Sequence, residues 1–331
     1  MTPAIALVIG YVLGILSVFL YGRARPLLKQ IRENARASRE EARIRRTSGL
    51  EDNHRRLTLR RAQGMHLAAP LFMLNDILQE PRLIAPPVQV EPGVTGIQED
   101  IISQTLPYMP EWPELAAIYR APTLGLVEAI TGGGNVVIVG AAGAGKTVAL
   151  AHLASQAANL HVQLEAGRDA VPFHYHIADL QFPFDSTKDP LTILFNAVSE
   201  FAPVFDLRKL PDFIRQSFEF GTALLLIDGF DEVDPQTQVD VIDWFKALTD
   251  AHPRVRIVTT GTVNQLNGLI GLGFHPLALM AWGENRISKF IQQWGTAWSQ
   301  VLSETDESQP STIDSAILNE WLRLDNTGLT P

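Results

Sequence analysis

The feature that most constrains this chain is a glycine-rich loop between an apolar run and an alanine-rich segment. Residues 136–139 read VVIV, residues 140–147 read GAAGAGKT, and residues 148–158 are rich in Ala and Leu. This is the pattern G-x-x-x-x-G-K-[ST] in the strand, loop and helix context that it requires. Glycines let backbone N–H groups curl around a phosphate, and the helix N-terminus adds partial positive charge. The sequence therefore predicts a phosphate-binding loop.

The loop supplies candidate residues for a nucleoside triphosphate, ATP or GTP, and for Mg²⁺. Lys146 is expected to reach the β- and γ-phosphates, and the Thr147 hydroxyl is expected to ligate Mg²⁺. The predicted nucleotide-binding residues are Gly140, Ala141, Ala142, Gly143, Ala144, Gly145, Lys146, Thr147 and Val148.

A second apolar run ends in negative charge, because LLLIDGFDEVD at residues 224–234 holds four acids and no base. Residues 222–227 are typical of a buried parallel strand, whose carboxyl end lies beside the phosphate loop in an open α/β sheet. Asp228 at that end is predicted to hold Mg²⁺ together with Thr147. The metal would then be the missing positive partner.

The acids after Asp228 are the remaining catalytic candidates, beside Lys146 and Asp228. Of Asp231 and Glu232, Glu232 is favoured as the residue that orients or deprotonates an attacking water. The alternative is a solvated turn that caps the next helix. For Asp234, which precedes Pro235, an N-cap is the preferred interpretation.

Further β-prone segments predict a larger sheet. Residues 171–180, 256–262 and 273–280, flanked by helix-like segments, complete an α/β fold, a three-layer P-loop NTPase sandwich with a mainly parallel sheet. Thr259 and Thr260 end one strand where a γ-phosphate sensor is expected. His174 and His176 share one strand face, which suggests a metal pair, but without a third ligand an ordinary half-polar strand is favoured.

Composition narrows the function classes. The 331 residues are 46% hydrophobic and include no Cys, which excludes disulfides, thiolate metal sites and a cysteine nucleophile. The net charge of −9 is uneven, since residues 22–62 hold 13 Lys and Arg against 5 Asp and Glu, and the rest carries −17. An acidic body argues against nucleic-acid binding, which needs a positive face.

The N-terminus predicts a membrane anchor over residues 1–22. Residues 3–21 hold no charge and are long enough to span a bilayer as a helix. A buried core helix and a cleaved signal peptide are the alternatives, but the positive charge follows the apolar run rather than preceding it. The positive-inside rule then predicts a single-pass protein with its body in the cytoplasm. Gly10 and Gly14 form a small-xxx-small pair that favours close helix packing.

Four further segments are predicted after the anchor. They are a basic juxtamembrane helix at 23–64, solvated or attracted to anionic headgroups; a short helix and Pro-rich linker at 65–95; the NTPase domain at 96–280; and the start of a helical lid at 281–331. The chain ends before any further domain, so a truncated or short form is expected.

The motifs together resemble a known family. The stretch LLLIDGFDE, with a small residue after the Mg²⁺ aspartate and two further acids, resembles the NACHT branch of the STAND signal-transduction NTPases. The loop VGAAGAGKT and the lid-like LALMAWGENRISKFIQQW agree with it, over roughly residues 106–298, and we expect a membrane-anchored, bacterial member. The segment LPYMPEWPELAAIYRAP resembles the one that precedes the loop and lies near the base.

The resemblance implies a nucleotide-dependent switch that binds ATP or GTP with Mg²⁺ and self-associates when active, as a homo-oligomer. The residues that it implies are Gly140, Gly145, Lys146, Thr147, Asp228 and Glu232. Members often carry Ser-Arg or Thr-Arg where this chain has Thr260-Gly261, so the sensor arginine is missing here. Two functions stay open: a membrane-anchored switch that hydrolyses slowly, and a membrane scaffold that binds nucleotide without turnover.

Overall fold

The computed structural model describes residues 49–66, 68–69, 71–85, 123–164, 167–185, 187–200, 202–204 and 206–305. The predicted anchor at 1–22, residues 23–48 of the predicted juxtamembrane helix and residues 306–331 of the predicted lid lie outside these ranges. Within the described residues, no helix combines the length and the apolar character that a bilayer span requires.

The described residues form nine α-helices and nine β-strands. The helices are α1 Leu50–Gln63, α2 Leu74–Ile77, α3 Leu126–Thr131, α4 Lys146–Ala158, α5 Thr192–Ser199, α6 Leu210–Glu219, α7 Pro235–Ala251, α8 Asn267–Gly271 and α9 Glu284–Thr305. The strands are β1 Arg82–Ile84, β2 Thr123–Gly125, β3 Asn135–Val139, β4 Gln163–Leu164, β5 Arg168–Asp169, β6 Val171–His176, β7 Ala223–Asp228, β8 Arg256–Gly261 and β9 Phe274–Leu279.

Seven strands form one sheet in the order β2-β1-β9-β3-β8-β7-β6, and β4 and β5 form a separate hairpin. The five strands from β9 to β6 are parallel, and β1 pairs antiparallel with both β2 and β9. The mainly parallel sheet that was predicted is therefore present. Strand β8 lies between the strand that enters the phosphate loop and the strand that ends at Asp228.

Apolar side chains cover both faces of the sheet, as the unbroken apolar runs of β3 and β7 predict. Successive residues of β7 alternate between two core clusters: Leu225 belongs to the cluster with α5, α6 and α7, and Leu224 and Leu226 to the cluster with α3 and α4. The result is three layers, with the sheet in the middle.

Helix α1, which lies within the described part of the helix predicted at 23–64, belongs to the globular unit. The compact unit begins at Leu50, whereas the domain was predicted to begin at 96. Arg55 is only 5% exposed, and its Nη1 donates to the carbonyl oxygens of Ala157 and Ala170, at 2.7 Å each. Arg55 Nε also donates to Glu51 Oε1 at 2.9 Å. At least one basic residue of this helix, Arg55, therefore makes internal hydrogen bonds instead of facing solvent.

The predicted linker at 65–95 also contributes to the fold. Its helix is the single turn α2, and its strand β1 pairs with β9, so that Leu83 and Ile84 are almost fully buried. Helix α1 meanwhile covers the outer strand β6, where the His54 ring bonds to the Pro172 carbonyl at 2.9 Å. Covering an edge strand satisfies backbone groups that would otherwise pair with another chain.

Candidate functional site

The phosphate loop links the end of β3 to the start of α4. Gly145 is the N-cap residue of α4 and has a φ of +89°, which lies in the left-handed region that favours glycine. The N–H of Gly140 donates to the Gly261 carbonyl at 3.2 Å, so the loop begins tied to the end of β8. The local sequence therefore builds a helix N-terminus suited to an anion.

Lys146 is held inside the loop by three oxygen atoms. Its Nζ donates to the carbonyl oxygens of Gly140 at 2.9 Å and Ala141 at 3.1 Å, and it lies 3.1 Å from Asp231 Oδ2. Both members of the ion pair are buried, and Asp231 Oδ1 has no hydrogen-bond partner in the described part of the chain. The sequence predicted neither the pair nor its burial.

Asp228 lies at the carboxyl end of β7 and is 4% exposed. Its Oδ1 accepts from the Thr260 hydroxyl at 3.0 Å and from the Gly229 N–H at 3.0 Å. The Thr259 hydroxyl donates to the Ile227 carbonyl at 2.9 Å. Both threonines are fully buried and bond to residues of β7 from β8. The γ-phosphate sensor expected at these positions stays a prediction.

The end of β8 leaves little space around Gly261. A Cβ on Gly261 would lie 3.2 Å from Val137 Cγ2 and 3.3 Å from Leu266 Cδ2, which directs any side chain into the core. The polar residues after β8 that line the cleft described below are Thr262 and Gln265, and the Thr262 hydroxyl bonds to Gln265 Oε1 at 3.1 Å.

The three acids in the loop after β7 have different partners. Asp231 faces Lys146, whereas Glu232 lies 3.3 Å from His176 Nε2 through Oε2 and has a 61% exposed side chain. Asp234 is the N-cap of α7, because Oδ1 accepts from the N–H groups of Gln236 at 3.0 Å and Thr237 at 3.2 Å. The N-cap predicted for Asp234 is confirmed.

These elements border a cleft of about 940 Å³, within the range usual for ligand sites. Six predicted nucleotide-binding residues line it together with Asp231 and Glu232: Ala142, Gly143, Gly145, Lys146, Thr147 and Val148. Gly140, Ala141 and Ala144 are not among the lining residues, and the first two present their carbonyl groups to Lys146.

Four aromatic residues, which we call the aromatic wall, also line the cleft: His66, Trp282, Phe290 and Trp294. Phe72 packs against two of them. Ring centroids lie 6.0 Å apart for His66 and Phe72, 5.0 Å for Phe72 and Trp294, and 5.0 Å for Trp282 and Phe290. Both ring nitrogens of His66 and Nε1 of Trp282 are buried without a hydrogen-bond partner among the described residues. The wall thus offers flat apolar faces and unused polar atoms.

Sequence reasoning missed this wall. The spacing of Phe290 and Trp294, four residues apart on α9, places them on one helix face and was a usable signal. Nothing in the sequence pointed to His66. Helix α9 is held beside the cleft, because Gln79 bonds to Gln293 and Arg286 Nη1 donates to the Glu80 carbonyl at 3.1 Å.

The oxygen atoms around the phosphate loop suit Mg²⁺. Thr147 is exposed in the cleft, and Asp228 is the last residue of β7. The described residues contain no cluster of three or more His, Asp or Glu that would enclose a metal. Mg²⁺ commonly takes one or two protein ligands and completes its shell with phosphate and water, so the hydroxyl and carboxylate oxygens of Thr147 and Asp228 are of the right type. Thr147 lines the cleft, whereas Asp228 is buried and is not among the lining residues.

Comparison with known proteins agrees with this geometry. A family model described as the NACHT domain matches residues 135–297. Residues 135–297 form a NACHT domain. This places the phosphate loop, β7 and most of α9 inside a P-loop NTPase domain of the STAND class. One residue of the aromatic wall, His66, precedes the matched NACHT region.

Other comparisons add little to the NACHT match. Among solved structures, the chain is similar to one titled "Structure of Drosophila ORC bound to DNA", at 11% identity and a TM-score of 0.31, over 75% of this chain and 68% of that chain. A search of curated proteins gives no match.

Proposed function

We propose that this chain is a membrane-anchored nucleoside triphosphatase that binds ATP or GTP with Mg²⁺, hydrolyses it slowly and uses the bound nucleotide as a switch. The observation that carries the proposal is that the phosphate loop, the acids after β7 and the aromatic wall line one cleft. The loop suits phosphates and the aromatic wall suits a base, because flat rings stack on one another.

The proposed reaction is hydrolysis of the terminal phosphate. The water oxygen forms a bond to the γ-phosphorus while the bond from that phosphorus to the β,γ-bridging oxygen breaks, which gives a nucleoside diphosphate and inorganic phosphate. Glu232 accepts the proton of the water and returns it to solvent. Lys146 balances charge on the phosphates, and Thr147 and Asp228 would hold Mg²⁺, which supplies further charge neutralisation.

Slow turnover is expected because the described residues that line the cleft include no arginine. An arginine that stabilises the transition state is worth about 10³ to 10⁵ in rate where it acts. We expect turnover below about one per minute. A slow reaction suits a switch, since the triphosphate state then persists.

The proposed switch involves parts of the chain that meet at the cleft. The aromatic wall contains His66 from the segment before α2 and three residues just before or within α9, whereas the acids belong to the loop after β7. A nucleotide that contacts all three would hold them together, and loss of its γ-phosphate would alter the contact with Lys146 and Glu232. We propose that this change controls self-association, as the family resemblance implies.

A scaffold that binds nucleotide without turnover is the second candidate. It is favoured by the internal pairing of Lys146 with Asp231 and by Gly261, which stands where members of the resembled family often carry an arginine. The two candidates share the binding site and differ in whether Glu232 acts on water.

The deciding experiment measures nucleotide binding and single-turnover hydrolysis on the full chain. Binding should quench the fluorescence of Trp282 and Trp294, and the chain with both replaced by Phe is the optical control. Lys146→Ala should abolish binding, whereas Glu232→Gln should bind normally and hydrolyse at least about 100-fold more slowly. Equal rates for Glu232→Gln and wild type would contradict the role of Glu232, and binding without turnover in wild type would establish the scaffold.

The proposed anchor is tested separately. A tag at the C-terminus should resist external protease in intact cells and be digested once the membrane is made permeable. Digestion in intact cells would contradict the proposed orientation, and recovery of the chain in the soluble fraction would contradict the anchor.

A further inference from the structure

His176 ends the strand beside β7 and contacts a residue of the proposed site. The register of the sheet pairs His176 with Asp228. His176 Nδ1 accepts a hydrogen bond from the Ala178 N–H at 3.1 Å, and Nε2 lies 3.3 Å from Glu232 Oε2. An acceptor nitrogen carries no proton, so the proton of the neutral ring is on Nε2 and points at the carboxylate.

The backbone beside the ring leaves space for it. Gly229 has a φ of +83°, and a Cβ there would overlap Nε2 and Cε1 of His176. The N–H of Glu232 in turn donates to the Gly229 carbonyl at 3.0 Å. Gly229 therefore both packs against the His176 ring and fixes the position of the Glu232 backbone.

Glu232 needs such a partner if it is to act on a water. Its side chain is 61% exposed and lines the cleft, so its carboxylate has rotational freedom that burial does not remove. A hydrogen bond to Oε2 restricts that freedom and leaves Oε1 for another contact. General bases are commonly oriented by a third group in this way.

We propose that His176 is the positioning residue for Glu232: its Nε2–H holds one carboxylate oxygen so that the other is directed at the attacking water. This rests on the proposed function, in which Glu232 is the base. His176 does not touch the nucleotide in this arrangement and acts only through Glu232.

A purely structural role for His176 is the alternative, because the residue is also the N-cap of the 3₁₀ turn Ile177–Asp179. Two substitutions separate the roles. In His176→Asn the side chain keeps an acceptor close to the Nδ1 position and is too short for Glu232. In His176→Gln the amide reaches the Nε2 position, where it donates to Glu232.

The test compares single-turnover hydrolysis and nucleotide affinity in the full chain for His176→Ala, His176→Asn and His176→Gln. We expect His176→Ala to hydrolyse about tenfold more slowly at an unchanged dissociation constant, His176→Asn to stay slow, and His176→Gln to recover most of the rate. Adding His176→Ala to Glu232→Gln should cause no further loss, because the two residues act as a unit. A wild-type or faster rate in His176→Ala, or rescue by Asn and not by Gln, would overturn the proposal.

A second readout does not depend on turnover. In the full chain labelled with ¹⁵N-histidine, the His176 signals, assigned by their loss in His176→Gln, should show the tautomer protonated at Nε2 and should shift in Glu232→Ala. An unshifted signal overturns the contact itself. If wild type hydrolyses nothing, the proposed function fails, while a shifted signal still supports the pairing of His176 with Glu232.

Discussion

The ammonium group of Lys146 lies 3.1 Å from Asp231 Oδ2, and the two side chains are only 9% and 8% exposed. The lysine that is expected to bind phosphate is therefore already neutralised by an internal carboxylate. To bind Lys146, the phosphates of a nucleotide must compete with Asp231 for the ammonium group. They also bring negative charge close to this buried carboxylate.

Removing that acid is expected to strengthen nucleotide binding. Asp231→Asn should lower the dissociation constant for nucleotide measured in EDTA by about three- to tenfold, or about 1 kcal/mol, because Lys146 is then free of its competing charge. Asp243→Asn, which removes one charge from the exposed side of α7, is the matched control. Unchanged or weaker binding in Asp231→Asn would show that the pair does not compete with phosphate.

Substituting the two threonines of β8 one at a time should distinguish an effect on Mg²⁺ binding from an effect on stability. Thr260→Val removes the hydroxyl that bonds to Asp228, so the Mg²⁺ concentration for half-maximal nucleotide binding should rise several-fold. Thr259→Val removes a hydroxyl that bonds to the Ile227 carbonyl and should leave that concentration unchanged. Both variants should lose about 1 to 3 kcal/mol in the free energy of unfolding. An equal Mg²⁺ requirement in the two variants would contradict the role of Asp228.

Arg55 tests whether α1 belongs to the domain. Arg55→Ala leaves two buried carbonyl groups without this donor and Glu51 buried without its partner, so the free energy of unfolding should fall by about 3 to 5 kcal/mol in urea titrations. Arg56→Ala, on the exposed side of the same helix, should change it by less than about 0.5 kcal/mol. Similar small losses in both variants would mean that α1 is dispensable.

Two buried histidines predict lower stability in mild acid. Burial lowers the pKa of His54 and of His174 to about 4, whereas an unfolded chain protonates histidine at about 6.5. The unfolded state therefore binds more protons between these values, and the free energy of unfolding falls as the pH drops through this window, by about 2 kcal/mol for each histidine at pH 5. Urea titrations at pH 7 and pH 5 measure the loss.

His174→Phe provides the control for this pH dependence. Phenylalanine does not titrate, so the difference in the free energy of unfolding between pH 7 and pH 5 should shrink by the share of one histidine. The comparison uses the difference between two pH values, which cancels any change in packing that the substitution causes at both. An undiminished difference would assign the acid sensitivity to other groups.

The central sheet was predictable because each of its main strands has a recognisable pattern in its own residues. The runs before Gly140 and Asp228 are apolar without interruption, which is the pattern of strands buried on both faces. The glycine pattern after the first run marks a phosphate loop and the start of a helix. Asp234 was predictable as a cap for the same reason, since a cap depends only on the residues next to it.

Features that depend on distant contacts were not predictable. Strand β1 is three residues long and is paired with a strand almost 200 residues later, so nothing in its own sequence marks it. The basic charge of α1 suggested a solvated helix because sequence does not reveal that Arg55 meets two carbonyl groups of the domain. The pairing of Lys146 with Asp231 likewise exists only once β3 and β7 are assembled.

The space at Gly229 has a consequence for how this sequence can diverge. Because a Cβ at that position would occupy the volume of the His176 ring, Gly229 cannot gain a side chain while histidine remains at 176. A side chain at 229 would have space only after position 176 has shrunk, and the left-handed φ of residue 229 would still strain it. That order removes the partner of Glu232 before the glycine is lost. Among descendants of this chain, the two positions should therefore covary, with histidine at 176 found together with glycine at 229.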